Sequence, residues 1–220
     1  MATRKYDAPR RDEQAAATRA AIIEAATRLF GERGYEATTM SAIASAARVA
    51  PKTVYALGDK AQLLTLALDR AIVGDDDPTP LLDRPELHAV LTAGTGHDAA
   101  RLGAALGAPL LLRLYPLYRA FEQAAATDSG IAQQWREYQD RRHHDVRRVV
   151  EAVRSAGALR SGLDADRATD TLWALIGWHP VALLVEHRGW ARRDIERWIE
   201  DVFTAVLLAE HPGQSSRRPS

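Results

Sequence analysis

Thr39, Arg48, Lys52, Thr53, Tyr55 and Lys60 fall within one short stretch and together offer hydroxyl, guanidinium and ammonium groups. Lysine can donate to guanine acceptors or to phosphate, threonine can bond either, and a tyrosine hydroxyl commonly meets the backbone of a duplex. Asp59 and Gln62 have the spacing of a capping box, which puts Lys60 in the first turn of a helix. A lysine beside a helix N-terminus makes a phosphate clamp. Farther along, Arg142 lies in mid-stripe among apolar residues. A guanidinium there needs a carboxylate, a solvated cavity or an anionic ligand.

The elements that must hold the first group are short helices. Ile22, Ala26, Leu29 and Phe30 recur at helical spacing and form one buried stripe. Gly34 ends that helix, because glycine takes the left-handed conformation that caps the last carbonyls. Thr39 to Ala47 then predicts one short helix and Pro51 to Leu57 a second, separated by Arg48, Val49 and Ala50. That order is a helix-turn-helix, with Ile43, Val49 and Val54 as its apolar contacts. The outward residues of the second helix are Lys52, Thr53, Tyr55 and Ala56.

The runs LFGERGYEATTMSAIASAARVAPKTVY and GDKAQLL resemble the TetR family of bacterial transcriptional regulators. The resemblance covers roughly residues 18 to 68. It implies a homodimer whose N-terminal heads read a palindromic double-stranded DNA operator and whose C-terminal domains bind a small-molecule effector that releases DNA. By the same likeness Thr39, Tyr55 and Lys60 are phosphate contacts, and Lys52 and Thr53 read base edges. Three positions depart from the family pattern. Arg48 stands where glycine is usual, so a bulky residue must adopt positive φ at a cost of about 1 kcal/mol. Ala50 replaces the usual serine cap, and four residues instead of five separate Tyr55 from Lys60, with Leu57 filling the gap.

Composition limits the alternatives. The chain has 220 residues, 46% of them hydrophobic, enough for one large or two small domains. It has no cysteine, which excludes disulfides, thiolate metal sites and cysteine nucleophiles. The start MATRKYDAPRRDEQ has no hydrophobic signal core, so a cytoplasmic protein with no membrane partner is expected. The net charge of zero hides an asymmetry. Residues 1–60 hold ten Lys/Arg against seven Asp/Glu, net +3, and residues 61–220 hold nineteen against twenty-two, net −3. The basic end is the expected DNA end.

The predicted organisation is a basic arm over 1–12, a helix-turn-helix domain over 13–73, a linker over 74–85, an effector-binding and dimerisation domain over 86–210, and a loose tail over 211–220. Arg4, Lys5, Arg10 and Arg11 belong to the arm. The acidic, proline-containing GDDDPTPLLDRP marks the linker. Beyond it, helices are expected at about 97–126 with interruptions at Pro109 and Pro116, then at 129–155, 165–188 and 191–210. No strand-like alternation competes, so the fold class is all-α.

In this second domain Tyr115, Tyr118, Trp135, Tyr138, Arg142, Trp173 and His179 are the candidate effector residues, an aromatic wall with a few polar groups. The plainer reading makes the aromatics core and pairs Arg142 with an acid such as Glu122 or Glu186. The stretch 165–188 has two apolar faces, and Trp173, Gly177, Leu184, Trp198 and Val202 are the candidate dimer face. The GWHP segment is expected to bend its helix, because His179 precedes a proline.

Rival classes fit less of the chain. An enzyme lacks a Gly-x-Ser-x-Gly elbow, a P-loop or a dinucleotide fingerprint, and no cofactor is expected. His143, His144 and Asp145 are adjacent on a helix and point about 100° apart, which is not the geometry of a helical metal site. A helical adaptor that binds protein partners accounts for the apolar faces but leaves the basic head unexplained.

Overall fold

The computed structural model describes residues 8–74 and 85–208. Residues 1–7 of the expected arm, nearly all of the expected linker and the expected tail lie outside the described residues. The described chain is all-α, as its patterning predicts, and it divides into two compact units.

The first unit, Met1–Pro78 with Arg113–Arg136, contains α1 (Ala8–Arg33), α2 (Met40–Ala47), α3 (Pro51–Tyr55) and α4 (Lys60–Val73). α1 packs on both α2 and α4. Ile22, Ala26, Leu29 and Phe30 on α1, Ile43 on α2, Val54 on α3 and Leu63, Leu64 and Leu68 on α4 are all buried. The stripe read from sequence is therefore the core of the head. α1 starts at Ala8, so Arg10 and Arg11 belong to a helix and not to an unpatterned arm. Pro9 is tolerated there because first-turn N–H groups have no intrahelical acceptor. Thr38 is fully buried and its hydroxyl donates to Gly34 O at 2.8 Å and lies 3.1 Å from Leu29 O, tying the α1–α2 turn to the end of α1.

The second unit, Thr79–Leu112 with Glu137–Ser220, contains α5 (Pro85–Leu91), α8 (Ala165–Leu175), α9 (Trp178–Ala182), one π-helical turn at Leu183–His187, and α10 (Arg192–Leu207). It shares α6 (Gly96–Ala125) and α7 (Ser129–Ser155) with the first unit, so the units divide within these helices and not only at the expected linker. Its core gathers Ala100, Val150, Val153, Leu172, Phe203 and Leu207.

Two expectations are corrected here. Pro109 and Pro116 do not interrupt α6, which runs unbroken. An interior proline costs about 3 kcal/mol. Ala104, Ala108, Leu111, Leu114 and Leu117 are buried along the same helix, and each buried leucine returns about 1.5–3 kcal/mol. The break in 165–188 falls at Ile176 (φ −88°, ψ 72°) and Gly177, not at His179. Gly177 is the N-cap of α9, which puts His179 and Pro180 in its first turn, where the missing proline N–H leaves no gap. Ala165–His187 is the described helical run long and apolar enough in composition to cross a membrane, but this break divides it and Asp166, Arg167 and Asp170 lie in its first half.

Candidate nucleic-acid interface and ligand cavity

The turn between α2 and α3 is set by one residue. Arg48 has φ 57° and ψ 41°, the one positive-φ residue other than glycine among the described residues. Its N–H bonds Ser45 O at 3.2 Å and the Val49 N–H bonds Ala44 O at 3.0 Å, which closes α2 in the way a C-terminal glycine would. α3 starts with Pro51 and no side-chain cap at Ala50, as its sequence predicts. Val54 then points inward while Lys52 and Tyr55 point outward, Tyr55 with 61% of its surface exposed.

The shortened link to α4 works because of Gly58. It has φ 141°, and a Cβ there would collide with Gln62 Oε1. That same Gln62 oxygen accepts from the Asp59 N–H at 2.9 Å while Asp59 Oδ1 accepts from the Gln62 N–H at 2.9 Å, completing the capping box. Leu57 is half-buried, as the gap-filling role requires.

The six sequence-selected residues of the head are distributed as follows. Thr39 is exposed and caps α2, its hydroxyl oxygen accepting from the Ala42 N–H at 3.1 Å, which leaves its hydrogen available to a phosphate. Lys52, Tyr55 and Arg48 are exposed. Thr53 is half-buried and lines a groove in which α3 faces Arg11, Gln14 and Arg19 of α1. Lys60 is half-buried, with its ammonium 4.1 Å from the centre of the Tyr35 ring and 3.4 Å from Glu36 O. Burial, with help from Asp128, Asp59 and Glu36, pushes the Tyr35 hydroxyl above its ordinary pKa, so the ring under Lys60 stays neutral. Sequence reading missed this clamp because it joins residues 25 positions apart.

The second unit contains a cavity of about 200 Å³ bounded by α5, α6, α7, α8 and α10. Its walls are apolar, with Leu106, Val149, Leu172 and Phe203 among them, and the charged residues among its lining are Arg142 and Asp145. Arg142 reaches the backbone at the end of α8. Its Nη2 donates to Trp173 O at 2.9 Å, its Nη1 to Ile176 O at 3.0 Å, and its Nε to Gln139 Oε1 at 3.3 Å. The guanidinium thus closes the C-terminal end of α8, where helix carbonyls lack partners and a cation is favoured. Its flat face also lies 4.9 Å from the Trp173 ring centre.

Of the seven candidate effector residues only Arg142 lines this cavity. Tyr118 and Trp135 belong to the first unit, where Trp135 stacks on Phe121 at 5.7 Å and meets Tyr118 edge-on at 5.4 Å. Tyr115 lies in the same unit and is half-buried. Tyr138 is buried, with Arg141 over its ring at 4.3 Å. Trp173 packs under Arg142 and against His143, and His179 is exposed and stacked on Trp178 at 3.7 Å. The aromatics were drawn into packing, and the cavity is lined mainly by aliphatic residues that carry no chemical signal in sequence.

The candidate dimer face also changes. Gly177 is buried, and a Cβ on it would lie 3.8 Å from Arg142 Nη2, so it is covered by its own unit and offers no outer surface. Trp173, Leu184 and Trp198 are half-buried, and Val202 packs against the unit's own core. Leu183, 59% exposed, and Leu175, 43% exposed, are the large apolar side chains left outward, and the sequence reading did not select them for this face.

Residues 22–65 match the family model of bacterial regulatory proteins, tetR family. No curated protein matches the chain by sequence. Among solved structures, a complex of SmeT with triclosan shares 20% identity at a TM-score of 0.66, with 93% of this chain and 99% of that chain covered. A protein of Saccharomonospora viridis assigned as a transcriptional regulator, in complex with choline, shares 21% identity at a TM-score of 0.68, covering 86% and 97%. A protein of Mesorhizobium loti assigned to the TetR family shares 23% identity at a TM-score of 0.64, covering 88% and 98%. The tetR-family match is thus confined to the head, and over most of its length the chain shares the fold of these solved structures.

Proposed function

We propose that this protein is a cytoplasmic, homodimeric repressor that binds a palindromic operator and leaves it when a small molecule enters the second unit. The observation that carries the reading is the α2–α3 pair, joined through Arg48 in the left-handed conformation, with Lys52 and Tyr55 exposed on α3 and Thr39 exposed at the start of α2. A second helix of that kind lies in the major groove and reads base edges, while the flanking residues hold phosphates. Lys52 and Thr53 take the base-reading role; Thr39, Tyr55 and Lys60 take the phosphate role, with Arg48 beside them.

A palindrome calls for two copies, with heads about 34–36 Å apart or a multiple of that. The exposed Leu175 and Leu183, continued by Leu184 and Trp198, supply apolar surface for a second copy. The triclosan and choline complexes of the fold neighbours support an effector-responsive second unit, and the cavity around Arg142 and Asp145 supplies the space for one here. An effector shifts the equilibrium only by its preference for the DNA-incompetent state, typically about 1–3 kcal/mol.

The test is a mobility-shift titration on duplexes recovered by selection from random sequence. Neutralising about 6–10 phosphates makes affinity fall roughly 10³- to 10⁵-fold between 50 and 200 mM salt. Flat salt dependence, or no preference over random duplex, ends the reading. Lys52→Ala should cost about 1–3 kcal/mol at one base pair of each half-site, whereas Tyr55→Phe should weaken all sequences alike.

A further inference from the structure

We infer that the cavity of the second unit takes a small organic cation, with the Asp145 carboxylate as its counter-ion. This rests on the effector-responsive reading above and names the ligand chemistry of that site. The two charged groups at the wall differ in one respect. Arg142 has three of its N–H groups placed on Trp173 O, Ile176 O and Gln139 Oε1, so its charge closes α8. Asp145, one helical turn on, is half-buried and accepts no hydrogen bond among the described residues. Burial pushes its carboxyl above the ordinary carboxylate pKa, even though Arg141, Arg148 and His144 on the same helix pull the other way.

A partly desolvated carboxylate that accepts no hydrogen bond from the described residues is less favourable than one in water, and a ligand that brings a positive charge to it offsets that cost. The remaining walls are apolar, which suits the hydrocarbon part of such a molecule. The size of the site limits the ligand. About 200 Å³ is below the ~300–1,000 Å³ of drug-sized sites, so the ligand is small. Gly103 and Gly107 of α6 lie one turn apart on the cavity wall, and a Cβ at either would meet neighbours only at 3.8–4.0 Å. Alanine would fit at both positions and would favour the helix. The two glycines keep the space open against the propensity of the helix that contains them.

The probes are three charge variants of one shape, 2-phenylethylamine, 2-phenylethanol and 3-phenylpropionate, with benzyltrimethylammonium and cyclohexylmethylamine as further cations. Binding to the full-length protein is read by calorimetry. The cations should bind more tightly than the alcohol, and Asp145→Asn should weaken them roughly 10- to 100-fold while leaving the alcohol unchanged. Asp145→Glu, which keeps the charge, should recover part of the loss, and circular dichroism confirms that both variants fold. Equal binding of amine and alcohol, preference for the anion, or failure of every cation to bind overturns the assignment. Those outcomes leave the operator-binding result untouched, and loss of operator binding in the mobility shift would sink the regulator whatever the calorimeter reads.

Discussion

The head and the second unit solve the same problem, closing helices of an all-α chain, with different materials. In the head most closures are local, although Arg113 also donates to Ala71 O and Ile72 O at the end of α4. Gly34 ends α1 by bonding Phe30 O at 3.0 Å, Thr39 caps α2, and Asp59 and Gln62 cap α4 within one turn. In the second unit the end of α8 is closed by Arg142, more than 30 residues earlier in the chain. The local closures leave a filled core, with Ile22, Phe30, Ile43, Val54 and Leu64 almost without exposed surface. The distant closure leaves a helix break, a π-helical turn and a cavity. A surface that presents a recognition helix in fixed register needs the first arrangement, and a site that admits a ligand needs the second.

Four measurements break or sharpen that contrast. The largest effect is expected in the filled core, where Phe30→Ala should destabilise the head by about 3–5 kcal/mol in urea titration and remove operator binding. A loss below about 1 kcal/mol would mean the head is not tightly packed. Arg142→Met leaves the α8 carbonyls without their cationic donor and should cost about 2 kcal/mol, read as a lowered Tm with faster amide exchange at Trp173 to Gly177. Unchanged exchange there would show that α8 closes without Arg142.

Arg48→Gly should stabilise the protein by about 1 kcal/mol, since glycine enters the left-handed region without the Cβ clash. If Tm falls instead, the Arg48 side chain contributes more in place than its backbone strain costs.

The smallest effect concerns pH. The folded Asp145 carboxyl is raised by burial, so its contribution to stability is present below the unfolded pKa and is lost as pH rises through the folded value. Asp145→Asn should therefore match the wild type in acid and gain on it as pH rises above the ordinary carboxylate range. A parallel pair of stability curves would show that Asp145 is not desolvated in solution.

What could be read in the sequence follows the distance over which each contact acts. Apolar periodicity in α1, the Thr39, Asp59 and Gln62 caps, the three-residue turn and the positive φ of Arg48 depend on neighbours within a few residues, so residue type and spacing determine them. Each expected helix of the head exists for that reason. In the second unit the same reading placed α7 and α10 nearly where they lie but misjudged α6 and the break before α9. Whether α6 continues through Pro109 and Pro116 depends on the burial of its leucines, and that is a property of what packs against them. Arg142 announced itself as an anomaly on an apolar stripe, yet its partner was open, because backbone carbonyls at a helix end leave no trace in side-chain pattern. The spacing of His143, His144 and Asp145 argued against a metal site and pointed to no other role for the carboxylate. Only the assembly of five helices around it made that carboxylate a half-buried part of a cavity wall.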